Sequence, residues 1–278
     1  MNPTKAIKRA RHAIRQADSA LKDAANTLRK QAQPKPMQDM PEPTPAADKP
    51  EFLSKSFNLP AEPGSNGLAA AANVLRRNGP RAFKIGDEIE VTHALGKLRF
   101  TVVGIDCDKV PHRDHSLTLL LTSLVLGSAF DAPDLDHPWG RNYWPDSSIR
   151  AMLNGAFLDG FSDDDRQAMA TTQRRTYSFS EQEAIHTEDV VFLLSASEAG
   201  FAVNDDDVRD EGDAYPYFKT GNEARQLTDA NGNARYWWLR SPTPWNGHRV
   251  RSVTSSGALN NGRYASYGRA VAAACVIG

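Results

Sequence analysis

The chain has little cysteine: among its 278 residues only Cys107 and Cys275 occur, far apart and outside any CxxC or Cys/His spacing. That excludes a disulfide scaffold and a structural zinc site, which need partners at short spacing, and both thiols are expected to be reduced core residues. Net charge is nearly absent as well, with 33 basic against 34 acidic side chains. A protein that coats nucleic acid shows a large basic excess, so this class is set aside. Long apolar runs are missing too. The longest, LTLLLTSLVLG at 117–127, is about half of what a membrane-spanning helix needs. The basic start MNPTKAIKRARH leads into an Ala-rich amphipathic stretch instead of the continuous apolar segment of a secretory signal. A soluble protein of a reducing cytoplasm is the expected class, with packaging into a virion as the other placement consistent with these absences.

One further absence is local. After Asp229 the chain has no Asp, Glu or Lys, whereas Arg235, Arg240, Arg249, Arg251, Arg263 and Arg269 remain, so the last 49 residues carry +6. Residues 1–50 hold ten basic against five acidic side chains, or +5, and residues 51–278 hold 23 against 29, or −6. The near-zero sum is therefore made of unlike parts.

What is present begins with a heptad pattern. Ile7, Ile14, Leu21 and Leu28 recur every seven residues, Ala10, Ala17 and Ala24 follow the first three of them by three positions, and Ala6, Ala13 and Ala20 precede them. Lys8, Arg15, Lys22 and Arg29 form a separate basic stripe. The pattern predicts an amphipathic, coiled-coil-like helix over 5–32, in an N-terminal segment 1–32. Its narrow alanine face suits close approach of a partner helix, so a homo-oligomer built through residues 5–32 is expected. The alternatives are docking onto the chain's own body, or a basic contact with membrane or nucleic acid. Eight of the 17 prolines then fall between Pro34 and Pro63, which predicts an extended linker over 33–80. A short Ala-rich helix near 67–77 is expected inside it, ending at Asn78-Gly79-Pro80.

Residues 81–278 read as one α+β domain. Alternation in FKIGDEIEV and LRFTVVGID predicts a hairpin around 83–105, and the Leu-rich run at 117–126 a buried strand or edge helix. In SSIRAMLNGAFLDGF, Ser147 is an N-cap and Ile149, Met152, Leu153 and Phe157 share one helical face. Ser162 and Asp165 start a second short helix, DVVFLLS at 189–195 is a buried strand, and RYWWLRS and the closing VAAACVI are strands. Turns are expected at Ser256-Gly257, Asn261-Gly262 and Tyr267-Gly268.

Catalytic and metal-binding constellations are thin. His112 and His115 beside Asp114 lack a second pair, and LLSASEAG around Ser195 is no nucleophile elbow. Asp205, Asp206, Asp207, Asp210, Glu211 and Asp213 offer carboxylates for calcium without EF-hand spacing, so a solvated acidic loop is the plainer reading, and Asp229 to Asn233 reads as a turn. No catalytic residue, metal ligand or cofactor is expected, calcium being the alternative that the acidic loop offers. The end of the chain differs in kind. From about 240 to 270, small turn residues and isolated valines alternate with Thr243, Trp245, Asn246, His248, Arg249, Arg251, Ser252, Thr254, Ser256, Asn260, Asn261, Arg263, Tyr264, Ser266 and Tyr267. Trp, Tyr and Arg with Ser, Gly and Asn are the makings of a binding surface, since they give large contact area at modest entropic cost. The plainer alternative is an antiparallel sheet with one wet face.

Several of these segments carry a resemblance. Asn142-Tyr143-Trp144, Ser147 to Arg150, Leu153-Asn154 and Phe157, Asp189 to Ser195 with Glu198, Trp237 to Pro242, and Tyr267-Gly268-Arg269 resemble, in order, the motifs of an uncharacterised bacterial and phage domain family that has a WWLRSP segment. GRAVAAACVI departs from that family's usual close. The layout is similar to the C-type lectin fold of the formylglycine-generating-enzyme type, which also serves the variable proteins of diversity-generating retroelements. There, adenine-directed mutagenesis of a C-terminal repeat randomises a ligand-binding surface. The resemblance implies a C-type lectin-like domain at 81–278 whose variable region, about 240–270, binds a protein or other macromolecule, and the arginine excess of that region predicts an acidic or phosphate-bearing partner surface, or a protein epitope that stacks on arginine. The polar set from Thr243 to Tyr267 is what changing the adenines of Asn-type codons yields, although Trp245 is not reached that way. Cys107 and Cys275 do not match the catalytic pair of the formylglycine-generating enzymes, so a non-enzymatic protein is expected. A phage tail or fibre tip and, behind it, a metal-dependent enzyme of the same fold are the alternatives.

Overall fold

A computed structural model describes residues 67–204 and 207–278. The expected heptad helix at 1–32, and the linker up to residue 66, lie outside the described residues. The first described element, helix α1 (Leu68–Asn78), follows from its sequence: Leu68, Ala71, Ala72 and Leu75 recur at helical spacing and all are buried. Its first turn is capped from a distance, Ala69 N donating to Asp165 Oδ1 at 2.9 Å, and it stops at Gly79, whose φ of +71° favours glycine, ahead of Pro80. The short helix expected within the linker is thus a wall of the core, because its apolar stripe has a body to pack on. The folded domain starts ahead of the expected residue 81.

The fold is mixed α+β, mostly β with few helices. In chain order the strands are β1 (Glu88–His93), β2 (Gly96–Ile105), β3 (Leu117–Leu121), β4 (Ser123–Leu124), β5 (Gly127–Ala129), β6 (Met169–Ala170), β7 (Thr172–Ser178), β8 (Glu183–Asp189), β9 (Val191–Leu193), β10 (Thr228–Asp229), β11 (Trp237–Pro242), β12 (Arg249–Val253), β13 (Leu259–Tyr264), β14 (Gly268–Ala270) and β15 (Ala273–Ile277). Helices α2 (Ser148–Met152) and α3 (Asp163–Ala168) lie between β5 and β6. One sheet runs β1-β2-β3-β15-β6, with β9 also paired to β15. The other runs β13-β12-β11-β14-β5, β7 and β8 form a hairpin, and β10 pairs with β4. The closing strand β15 lies inside its sheet, antiparallel to β3, β6 and β9. Every residue of β3 and β15 is buried, as expected of strands covered on both faces.

Several local expectations meet physical limits. Ser147 caps α2, its Oγ accepting from Arg150 N, but regular helix ends at Met152 and Gly155 turns out of helical geometry at φ −118°, ψ −109°, since glycine loses more entropy than any other residue when held in a helix. Ile149, Leu153 and Phe157 are still buried. Ser162 caps α3 as its spacing implies. The β7–β8 hairpin was not anticipated, because its inward positions are Thr172, Arg174 and Thr176 and leave no apolar alternation to read. Asn261-Gly262 is a bulge within β13 and no turn: Val250 and Ser252, two apart, face Arg263 and Asn260, three apart. Tyr267-Gly268 leads directly into β14. Cys275 is buried as expected, whereas Cys107 is exposed; both are free. Among the described residues, no helix is long and apolar enough to cross a membrane.

Candidate binding face

The face rests on β11. Trp237 and Trp238 are fully buried, their indole N–H groups donating to Arg225 O and Ser128 O at 2.9 Å. After Trp238 the strand bulges, since Trp238 faces Ser252 while Pro242 faces Val250, and at the bulge Arg240 N donates to Leu194 O at 2.9 Å. The Arg240 side chain is enclosed. It grips Glu198 through both carboxylate oxygens at 2.5 and 2.8 Å, and donates to Leu193 O at 2.7 Å, Arg175 O at 3.0 Å, Glu211 O at 3.1 Å and Thr176 Oγ1 at 3.0 Å. A planar fork with all its donors used and a bidentate carboxylate is how a buried arginine offsets its desolvation. The arginine of WWLRSP is therefore a rivet between sheets and has no edge left for a ligand.

Beside it lies a second buried charge. Arg174 reaches Asp108 at 2.7 Å and Tyr215 at 3.0 Å, and its ion pairs and the tyrosine hold it charged despite burial. Glu211, expected in a solvated acidic loop, is 1% exposed; it accepts from Tyr177 N at 2.8 Å and from Ser241 Oγ. Two arginines here meet three carboxylates, Glu198, Asp108 and Glu211. Burial pushes the Glu211 carboxyl up to about 7, against the opposing pull of Arg240. Asp210 and Asp213 of the same loop are exposed as expected; Glu211 departs because its donors, Tyr177 N and Ser241 Oγ, come from distant strands and leave no local trace in the sequence.

Above this scaffold, β12 and β13 present the polar set. Arg249 faces Tyr264 across the strands, and its guanidinium carbon lies 4.7 Å from the Tyr264 ring centre. Arg263 lies 4.1 Å from the ring centre of Tyr267, and the Tyr264 and Tyr267 rings stack at 6.1 Å. Asn246, His248, Arg249, Asn260, Arg263, Tyr264, Ser266 and Tyr267 are half-buried, and Trp245 and Asn261 are exposed. His248 is oriented by Gly140 O at 2.8 Å from its Nδ1, and Asn260 Oδ1 accepts from Gly262 N at the bulge.

Five of the expected ligand contacts do not sit on this patch. Thr243, Arg251 and Ser252 are buried. The Thr243 hydroxyl bonds Asn246 O at 3.1 Å, and the Thr243 side chain lies where a β-carbon on Gly262 would fall. Arg251 is 1% exposed; it lies beneath the Trp245 ring at 4.6 Å, donates to Asn260 O at 3.2 Å and pairs with the Asp207 carboxylate. These residues hold the loops from beneath, and burial lowers the Arg251 guanidinium to about 10. Thr254 and Ser256 bond each other at 2.9 Å in the turn joining β12 to β13, at the far end from Arg249 and Tyr264, about 15 Å away at strand rise.

The patch also includes residues that composition did not single out. Trp139 stacks on Tyr264 at 4.7 Å and 27°, from a loop over 131–142 tied down by Ser266 N to Trp139 O at 2.9 Å, and by Asn142 Nδ2 to Asn246 O at 2.8 Å and Arg249 O at 3.0 Å. At its tip Leu135 is fully exposed, in a turn where Asp134 Oδ1 accepts from Asp136 N and His137 N. The aromatic run in HPWGRNYW was the available signal, although it was legible only as a family motif.

Elsewhere, a shallow groove of about 380 Å³ lined by Pro145, Asp146, Arg150, Asn154, Thr171 and Glu188 shares no residue with this patch. His115 pairs with Asp106 at 3.1 Å, and among the described residues no three His, Cys, Asp or Glu side chains are grouped to hold a metal ion. Residues 115–278 match a family described as Domain of unknown function (DUF6273). No curated protein and no solved structure matches the chain.

Proposed function

The chain belongs to the DUF6273 family, a membership that brings no activity with it, and we propose that it is a non-enzymatic ligand-binding protein whose β12–β13 face is diversified by a retroelement. The C-type lectin-like fold belongs to the same proposal. Two largely antiparallel sheets with the closing strand placed inside one of them are compatible with it. The observation that carries the reading is the division of labour in the C-terminal segment. Trp237, Trp238, Arg240, Val250 and Val253, with Thr243, Arg251 and Ser252, are buried scaffold, while Arg249, Arg263, Tyr264 and Tyr267 form one stacked, half-buried patch. A rigid frame under replaceable side chains is what a variable binding surface requires. If residues 5–32 bring copies together, weak single sites gain by effective concentration.

A phage tail or fibre tip would use the same face and differs only in what carries it, so a virion joins the cytoplasm as its location. The enzyme reading draws no support from the cysteines: Cys275 lies in the core with its thiol pushed up to about 12 by burial, which leaves little reactive thiolate. Sequencing the gene's surroundings tests the proposal. We expect a reverse transcriptase gene and a near-copy of the stretch encoding residues 240–270, differing from it at adenines. A genome with no such copy contradicts diversification.

A further inference from the structure

We propose that the ligand of this face is an acidic protein segment, whose carboxylates take the guanidinium edges of Arg249 and Arg263 while its other atoms lie against the Trp139–Tyr264–Tyr267 stack. The proposal rests on reading the face as the binding surface, and adds the chemistry of what is bound.

Three observations carry it. The first is that both guanidiniums are held in place yet unpaired. Each lies over a tyrosine ring, each has a buried Nε without an acceptor, and neither makes an ion pair or side-chain hydrogen bond among the described residues. Arginine stacked in this way has already lost its rotamer freedom, so the remaining edge of its fork is pre-organised for a carboxylate. The second is that the faces of the two tyrosine rings are occupied. Tyr264 is covered by Trp139 and Arg249, and Tyr267 by Arg263, with the two tyrosines stacked on each other. Single-stranded nucleic acid binds by stacking bases on open rings, and these rings offer edges instead. The third is electrostatic. Residues 51–229 hold 17 basic and 29 acidic side chains, a net of −12, whereas the segment after Asp229 holds +6, of which Arg235, Arg240 and Arg251 are taken up by Asp229, Glu198 and Asp207, leaving the face its charge from Arg249 and Arg263. A polyanion longer than the patch would meet the repulsion of this acidic body, which acts over a Debye length of ~8 Å. Discrete carboxylates on a protein partner fit inside it.

The test immobilises the full chain and offers it a random peptide library and, separately, a random single-stranded DNA library. The expected result is enrichment of peptides rich in Asp and Glu, with capture falling about tenfold in each of R249Q and R263Q and with the melting temperature nearly unchanged. Enriched peptides without acidic excess, captured equally by both variants but lost with Trp245→Ala or Leu135→Ser, would overturn the acidic ligand and leave the face standing. Capture indifferent to all four substitutions would overturn both. Arg-dependent enrichment of DNA over peptides would overturn the protein partner.

Discussion

At the scale of single residues, similar side chains in the C-terminal segment have opposite duties, decided by what covers them. Arg249 and Arg251 stand two apart in β12, yet one is half-buried over a tyrosine and the other enclosed under Trp245 on Asp207. Truncating an enclosed arginine loses its packing under Trp245 and its bonds to Asn260 O and Asp207, about 1–3 kcal/mol, whereas truncating a surface arginine costs about 0.5 kcal/mol. Urea denaturation should therefore show Arg251→Ala markedly destabilised and Arg249→Ala near the parent; equal values would return Arg251 to the surface. Glu211 makes a pH prediction. Folded, it keeps its proton up to about 7, while its ordinary value is 4.5. Between these values the folded state binds more protons, so this group's stabilising contribution, full below pH 4.5, is lost as pH rises to 7, by about 3 kcal/mol at most. E211Q, neutral throughout, should remove that slope from a series of denaturation curves at pH 4.5–7.5. An unchanged slope would place the proton elsewhere.

At the scale of elements, apolar periodicity was legible and polar burial was not. The hairpin of β1 and β2, the buried β3, the caps Ser147 and Ser162, and the strands WWLRSP and VAAACVI follow directly from residue pattern. The β7–β8 hairpin was missed because it buries threonine and arginine, and the 131–142 loop because its role depends on Trp139 meeting Tyr264 across 125 residues. No local pattern encodes such a meeting. Of the candidate site, the half-buried Arg, Tyr and His positions were legible from composition, but which of their neighbours lie beneath them was set by a strand bulge. The sharpest consequence concerns β11. Arg240→Met should cost about 3–5 kcal/mol, because Glu198 stays behind as a buried carboxylate without its cation, and melting should broaden or vanish. A double variant that also replaces Glu198 by a neutral residue should recover part of the loss. A mild effect of Arg240→Met alone would refute the rivet.

At the scale of the whole molecule, the near-zero net charge separates into a basic segment, an acidic body and an arginine-only end. If the basic segment assembles copies, sedimentation of the chain lacking residues 1–32 should report a lower mass than the full chain, and equal masses would remove that role. The account's central claim is that the β12–β13 face is the replaceable part of a fixed frame. Deep sequencing of this gene across a natural population tests it most directly. Substitutions are predicted to concentrate at the accessible positions Asn246, His248, Arg249, Asn261, Arg263, Tyr264 and Tyr267, and to spare buried Trp237, Trp238, Arg240, Val250 and Val253. Substitutions spread evenly over residues 67–278, or equally frequent at the buried positions, would contradict it.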